Sequence, residues 1–317
     1  MLRFRTFRNT DPPALTAIWR SRAGQSGLVQ PVSVDLFEQF LFGKLYFDRQ
    51  GMILAWDEDR PVGFAHAGFG PNEARNWVSP ETGIVCMILV RPDCAGSEVA
   101  AGLLERSEAY LRQHGAKVLC GGGIRPLNPF YLGLYGGAEL PGILQSDTLA
   151  RSLSPAHGYK EHDHTLVLRR DLTGFRPLVD RRQVKLRREM WLQTTIDAPT
   201  RTWWEACTFG DFDLTRFELF ARGSGAPLGS VTVRGMDAMG RAGPARGAGV
   251  LDLEVAPDHR RQGLATYLAG EALVELGHQG YSLVEVHVTR ENAAALGLFK
   301  KLGFEQVDEG IVFRKEA

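Results

Sequence analysis

Val255-Ala256-Pro257-Asp258-His259-Arg260-Arg261-Gln262-Gly263-Leu264-Ala265 is the stretch on which the reading of this chain turns. The apolar run Val250–Val255 reads as a strand, a short basic turn follows, and a Gly-x-Ala step opens a helix. A helix start leaves backbone N–H groups unpaired and carries a partial positive charge. Gly263 and Ala265 would let an anion approach that backbone closely, and Arg260 and Arg261 add charge beside it. The turn therefore reads as a phosphate-type anion site. A plain strand–turn–helix connection with a loose glycine has the same spacing, so spacing alone leaves both readings open.

The same pattern stands 165 residues earlier. Val90-Arg91-Pro92-Asp93 parallels Val255-Ala256-Pro257-Asp258, and Ala100, Leu103, Leu111 and Gly115 parallel Ala265, Leu268, Leu276 and Gly280. One residue out of step, Asn128 parallels Asn292, and Leu132-Gly133-Leu134 parallels Leu296-Gly297-Leu298. An interval of this length is the size of a domain, not of a solenoid repeat. The expectation is a duplication: a first unit over 1–172, a linker over 173–185 and a second unit over 186–317. In the first half, strands are expected at Leu2–Phe7, Met52–Trp56, Val62–Phe69, Gly83–Val90, Lys117–Cys120 and Thr165–Arg169. Helices are expected at Asp11-Pro12-Pro13, where Asp11 can cap and Pro tolerates the first turn, over Ser97–His114 and over Pro129–Tyr135. In the second half, Thr200–Cys207, Gly263–Leu276 and Ala293–Leu302 read as helices. Arg216–Ala221, Leu228–Val233, Val250–Val255, Leu283–Val288 and Phe304–Phe313 read as strands. Met239–Gly249, rich in Gly, Ala and Arg, reads as a loop. The basic run Arg181–Arg188 reads as a solvated face and is given no binding role.

Two motifs of the second half together resemble the GNAT acetyltransferase superfamily. Arg260-x-x-Gly263-x-Ala265 after Val255-x-Pro257 resembles its R/Q-x-x-G-x-G/A coenzyme pyrophosphate loop. Asn292-x-x-Ala295-x-x-x-Phe299-x-x-x-Gly303-Phe304 resembles its N-x-x-A-x-x-x-Y-x-x-x-G-F. The resemblance implies an α/β (α+β) fold of two tandem units, each a mixed central sheet flanked by helices. It implies acetyl-CoA as cosubstrate, and a primary amine as acceptor, on a small molecule or a peptide N-terminus. Leu253, Val255 and their neighbours would pair with the pantetheine arm. The amides of Arg261, Gln262, Gly263, Leu264, Ala265 and Thr266 would hold the pyrophosphate, with Arg260 beside them. Asn292 would meet the coenzyme, and Phe299 would pack on it. Phe299 also departs from the family, whose tyrosine at that position serves as the acid.

An amine acceptor must lose a proton, and three residues are candidates to take it. Glu285 and His287 share one face of the fifth strand of the unit, and His287 stands where ribosomal-protein-alanine acetyltransferases carry a glutamate. Glu254, with Asp252, lies on one face of the fourth strand. No cysteine stands in either motif, which argues against an acetyl-enzyme and for direct attack in a ternary complex. In the first copy, Ala95 replaces Arg260 and Glu98 replaces Gly263, and a carboxylate at a helix start repels a pyrophosphate. That copy is expected to bind coenzyme poorly. The alternative reading is a non-catalytic acyl-CoA sensor.

Length and composition fit. The chain has 317 residues with 37 basic and 37 acidic side chains, a balance that argues against a dedicated nucleic-acid binder. Four scattered cysteines form no C-x-x-C pair, so no metal cage is expected and a reducing cytoplasm fits. No long apolar run suggests a membrane span.

Overall fold

The computed structural model describes residues 1–94, 96–236 and 246–317. The first half contributes strands β1 (Leu2–Thr6), β2 (Met52–Asp57), β3 (Arg60–Pro71), β4 (Val78–Val90), β5 (Val118–Gly121), β6 (Ile143–Leu144) and β7 (Lys160–Asp171). Its helices are α1 (Pro12–Arg20), α2 (Val34–Phe37), α3 (Gly96–Gln113) and α4 (Thr148–Ala156). The second half contributes α5 (Arg181–Glu189), β8 (Met190–Ile196), α6 (Trp203–Phe209), β9 (Leu214–Ala221), β10 (Pro227–Gly235) and β11 (Arg246–Val255). It continues with α7 (Leu264–His278), β12 (Tyr281–Thr289), α8 (Ala293–Lys301) and β13 (Glu305–Glu316). None of the described helices is long and apolar enough to cross a membrane.

The sheet runs β1-β2-β3-β4-β5-β13-β7-β12-β11-β10-β9-β8, with β6 on the side of β13. Pairing is antiparallel throughout except at β4–β5 and β11–β12. The duplication is visible in this order, because the two ends mirror each other about the centre. The central strands have changed sides. β7, the closing strand of the first half by sequence, pairs with β12 from Leu283↔Asp171 to Thr289↔Thr165. β13, the last strand of the chain, pairs with β5 of the first half from Phe313↔Gly121 to Glu316↔Val118. β7 and β13 then pair with each other from Glu305↔Arg169 to Arg314↔Lys160.

The cores follow the exchange. Leu168 of β7 and Leu172 just beyond it pack into the second-half core beneath α7. Ile311 and Phe313 of β13 pack into the first-half core beneath α3. On the other face of the first half, α1 and α2 cover a second layer around Trp19, Phe37 and Phe64. Among the described residues, the corresponding face of the second half has only the short α6 of its own. Leu132 of the first half packs there with Phe209, Leu214 and Leu251.

Four local expectations change. Pro129–Tyr135 is not a helix but a buried chain of turns, because its side chains are claimed by two different cores. α5 and β8 were not anticipated. Arg181–Arg188 lies on α5, which Asp180 caps through Gln183 N at 2.8 Å, and only Gln183 and Leu186 of this helix are buried. Of the expected loop Met239–Gly249, residues 246–249 belong to β11 and 239–245 lie outside the described residues. Asp11 precedes α1 but does not cap it with its side chain, since its carboxylate accepts from Arg5 and from Arg8 N.

Phe313 tests the exchange. It is fully buried in the core of a half that does not contain it in sequence. Phe313→Ala should cost about 3–5 kcal/mol. Urea unfolding followed by tryptophan fluorescence and by far-UV circular dichroism should shift as a single transition. Two separated transitions would mean that the halves are stabilised independently.

Candidate active site

β11 ends at Val255, and a short turn over Pro257–His259 leads into the basic stretch. Arg261 (φ 63°) and Gly263 (φ 84°) both adopt the left-handed conformation, which tips successive N–H groups into one concavity. Gly263 is the cap residue of α7 and supplies no side-chain hydrogen bond, and no acidic residue stands in the first turn. The amides of Leu264, Ala265 and Thr266 therefore meet no capping side chain. The Leu264 side chain itself is buried in the core, so its contribution is its backbone. Arg260 Nε donates to Val255 O at 3.0 Å and ties the loop to the strand end. Gln262 Nε2 donates to Asp258 O at 3.3 Å, and Arg261 is exposed. The α5 run, given no role above, reaches this place: a Cβ on Gly263 would lie 2.7 Å from Arg182 Cδ. Arg182 thus lies across the mouth of the loop.

Beside the loop the sheet opens. β11 and β12 pair in parallel only as far as Val250↔Val286. Beyond that point β11 follows β10 and β12 follows β7, so residues 251–255 diverge from 287–289. A bulge sharpens the divergence. Thr232 faces Asp252 and Val233 faces Val250, which leaves Leu251 as the extra residue. Val255 is buried in the core and Leu253 packs at its edge, so both present backbone to the slot. Phe299 is buried against Phe304, with ring centroids 5.1 Å apart, and lines a small cavity of about 10 Å³ with Val250 and Leu253. Asn292 caps α8 by accepting from Ala295 N at 3.0 Å, which leaves its amide NH2 for other partners.

Glu285 and His287 are in contact, with His287 Nε2 2.9 Å from Glu285 Oε1. Glu285 is fully buried, and it also accepts from Arg169 Nε at 2.6 Å and from Ala138 N at 2.7 Å. Burial alone would raise its pKa, but the His287 hydrogen bond, the charges of His287 and Arg169 and the Ala138 N–H outweigh it and hold it at about 2. His287 is 4% exposed, and its Nδ1 is buried without a hydrogen-bond partner. Glu254 stands apart from them on β11, largely exposed, with Arg201 Nη1 3.6 Å away.

Most of the residues that sequence reading missed come from the first half. Its segment 135–139 crosses β11 and β12. Arg234, itself buried, donates to the carbonyls of Gly137 and Ala138. Gly137 must be glycine here, because a Cβ would sit 2.2 Å from Glu285 Oε1. The segment places the Tyr135 ring 6.2 Å from that of His287, edge to face. It also brings in Glu139, whose pKa is raised because burial outweighs the nearby charges of Arg125 and His287. Arg125 lies 3.2 Å from Glu139, forms a two-point pair with Asp252 at 2.8 and 3.1 Å, and donates to Leu251 O at 2.8 Å. The one available signal was the retention of Tyr135 at the position aligned with Phe299. Which half would receive it depends on strand exchange, which no local pattern encodes.

The first copy of the loop has a different chemistry. Glu98 stands exposed in the first turn of α3, and Asp93 is bonded by both Arg60 and Arg91. Ala95, the counterpart of Arg260, lies outside the described residues. β4 and β5 still part beyond Val85↔Gly121 and line a largely apolar cavity of about 100 Å³ with Asn128 and Tyr135.

The profile of the Acetyltransferase (GNAT) family matches residues 15–135 and again 181–304. Among solved structures, the chain is similar to a tandem GNAT protein from the clavulanic acid biosynthesis pathway, at 18% identity and TM-score 0.69. That match covers 100% of this chain and 98% of the other. It is also similar to a GCN5-related N-acetyltransferase from Sphaerobacter thermophilus, at 16% identity and TM-score 0.64, covering 99% and 95%. A third similarity is to the glucosamine N-acetyltransferase region of a fungal multi-domain GH3 β-N-acetylglucosaminidase. There identity is 16% and the TM-score 0.71, covering 99% of this chain and 38% of that one. No curated protein matches the chain significantly.

Glu285 also shapes the response to acid. Its folded pKa of about 2 lies below the ordinary 4.5, so its stabilisation is complete above that ordinary value and is lost as pH falls toward 2. Glu285→Gln should cost about 1–3 kcal/mol near neutral pH, because the half-exposed Arg169, His287 and the Ala138 N–H lose a charged acceptor. The gap to wild type in urea unfolding should narrow below about pH 4. A gap independent of pH would assign the loss to packing.

Proposed function

The chain belongs to the GNAT acetyltransferase family, and from this premise we propose that it transfers an acetyl group from acetyl-CoA to a primary amine at the second half. The observation that carries the choice of half is the contrast between two helix starts. α7 opens on a left-handed glycine with no acidic residue in its first turn, whereas α3 carries Glu98 there. A pyrophosphate is favoured at the first and repelled at the second. The residues present fit the coenzyme. The amides of Gly263 to Thr266 face the phosphates, Arg182 and Arg261 add charge, and the free backbone of 251–255 offers a strand-like edge to the pantetheine arm. The thioester supplies an activated acyl carbon, and the protein supplies placement and proton transfer.

The amine must shed a proton before or as it attacks. Glu285, held near 2, is a weak proton acceptor. Its ionised oxygen instead fixes the proton of His287 on Nε2, which leaves the Nδ1 lone pair as the base. Glu139, with its raised pKa, is the second acceptor within the same cluster. The nitrogen bonds to the acyl carbon, the carbon–sulfur bond breaks, and the thiolate takes a proton. Phe299 cannot provide it. Tyr135 has a hydroxyl and stands beside His287. Direct attack in a ternary complex needs no cysteine in the slot.

Three measurements test this reading. Calorimetry should give one acetyl-CoA site per chain. Arg182→Ala should weaken it by roughly 10-fold, and Thr266→Glu, which places a carboxylate in the first turn of α7 without changing its backbone, by roughly 100-fold or more. Two tight sites in the wild type, or unchanged affinity in Thr266→Glu, would sink the assignment. In a thiol-release assay against an amine panel, His287→Gln should lower kcat by about 10²–10⁴ with acetyl-CoA affinity retained. Tight binding without acceptor-dependent thiol release from any amine would leave the acyl-CoA sensor as the better reading.

A further inference from the structure

A cavity of about 540 Å³ lies where the β3–β4 hairpin of the first half meets α6 of the second, and none of its walls belongs to the acetyl-transfer site. Its walls are aromatic: Tyr46, Phe69, Trp77, Tyr110 and Trp203. Trp77 and Trp203 stack with centroids 6.0 Å apart and planes 20° from parallel, and Phe69 packs on Tyr110 at 6.1 Å. Trp77 is 70% exposed. A contiguous exposed apolar surface of this kind marks a contact surface more often than an accident.

The walls are held before any ligand arrives. Asn72 N donates to Trp77 O at 2.8 Å, closing the hairpin that carries Trp77. Trp204 N donates to Arg75 O at 3.1 Å and Trp204 Nε1 to Pro126 O at 2.9 Å, which fixes the start of α6. Tyr46 Oη donates to Pro129 O at 2.6 Å. A preformed, mostly apolar concavity of several hundred cubic ångströms is the form of a small-molecule site.

Charge selects the class of ligand. No lysine or arginine lines the cavity, its one carboxylate is Asp48, and its one imidazole is His114, with Nδ1 2.8 Å from Tyr110 O and Nε2 4.0 Å from Asp48 Oδ2. Asp48 accepts from Tyr110 Oη and from Gln50 N, both at 2.9 Å, and stays partly exposed. Aromatic faces carry negative potential, and a neighbouring carboxylate deepens it. A sugar would need several directional polar partners, and the acceptor oxygens of Asp48 are already engaged. A compact cation with a greasy surface needs only field and contact.

We propose that this aromatic groove binds an organic cation: a quaternary or protonated alkylammonium group on an apolar body, its charge over the Trp77 and Trp203 faces and toward Asp48. The proposal is independent of acetyl transfer, since neither its residues nor its test involves the coenzyme.

The test uses the full chain and benzyltrimethylammonium as probe, followed by tryptophan fluorescence and saturation-transfer NMR. Saturable binding with Kd below about 1 mM is expected, with choline bound at least ~10-fold more tightly than its neutral isostere 3,3-dimethylbutan-1-ol. Trp77→Ala should weaken the probe by ~10-fold or more without changing Tm, and Asp48→Asn should weaken the cations but not the isostere. Trp203→Leu provides a second aromatic deletion from the other half. No saturation up to about 20 mM probe, equal binding of the neutral isostere, or an unchanged Kd in Trp77→Ala would each overturn the proposal. So would a Trp77-dependent dimer in sedimentation velocity, because the occupant would then be a second copy of the chain.

Discussion

The ladder between β7 and β13 is the constraint on which the rest of the molecule depends. Each of these strands lies in the sheet of the half to which it does not belong by sequence, and each hydrogen-bonds to the other along most of its length. An open strand edge exposes a row of unpaired backbone groups, so removing either strand would leave two such edges in the middle of the sheet. The side chains repeat the message, with Leu168 in one core and Ile311 and Phe313 in the other. A duplicated chain is often pictured as two beads on a string. Here the string passes through both beads.

That exchange explains why a chemically distinct second half is built on the first. With β7 beside β12, Arg169 is within reach of Glu285. The segment 135–139 then crosses the helix-poor face of β11 and β12, where Arg234 holds its carbonyls and Glu285 holds the Ala138 amide. The buried Arg234, the half-exposed Arg169 and the buried Glu285 carboxylate thus form a connected polar network around segment 135–139. Beside such a network, a nearby atom can be left without a partner without unfolding the site. His287 Nδ1 is such an atom beside it.

The fold and the strand–turn–helix form of the Gly263 loop were legible in the sequence because they depend on local rules. Alternation, a glycine before a helix and the repeated Val-x-Pro-Asp each act within a few residues, and β11, α7, β12 and α8 stand within a few residues of their expected bounds. The composition of the Glu285–His287 cluster was only half legible. Glu285 and His287 follow from period-two alternation on one strand, and the structure joins them at 2.9 Å. Glu139, Arg125 and Arg234 could not be read, since their meeting is set by loops 96–147 residues apart in sequence. The Arg181–Arg188 run is largely solvated, as expected, but lies on a helix, and its neighbour could not be read. A charge run without a known neighbour looks solvated, and only the packing of α5 against α7 shows Arg182 beside Gly263.

The same reasoning bears on the missing tyrosine of the second motif. In α8 the aligned residue is Phe299, buried and locked against Phe304, where a hydroxyl would be unsatisfied in an apolar core. The first copy keeps a tyrosine at that position, Tyr135, but has lost the helix that would aim it at its own strands. The exchange of closing strands is accompanied by a second transfer, because Tyr135 now lies beside His287 of the other half. A phenol in this position has a pKa driven upward by burial and by the Glu285 charge, so it keeps its proton at neutral pH. It is thereby suited to donate rather than to accept. Under the proposed acetyl transfer, the acid missing from one copy would thereby be supplied by the other.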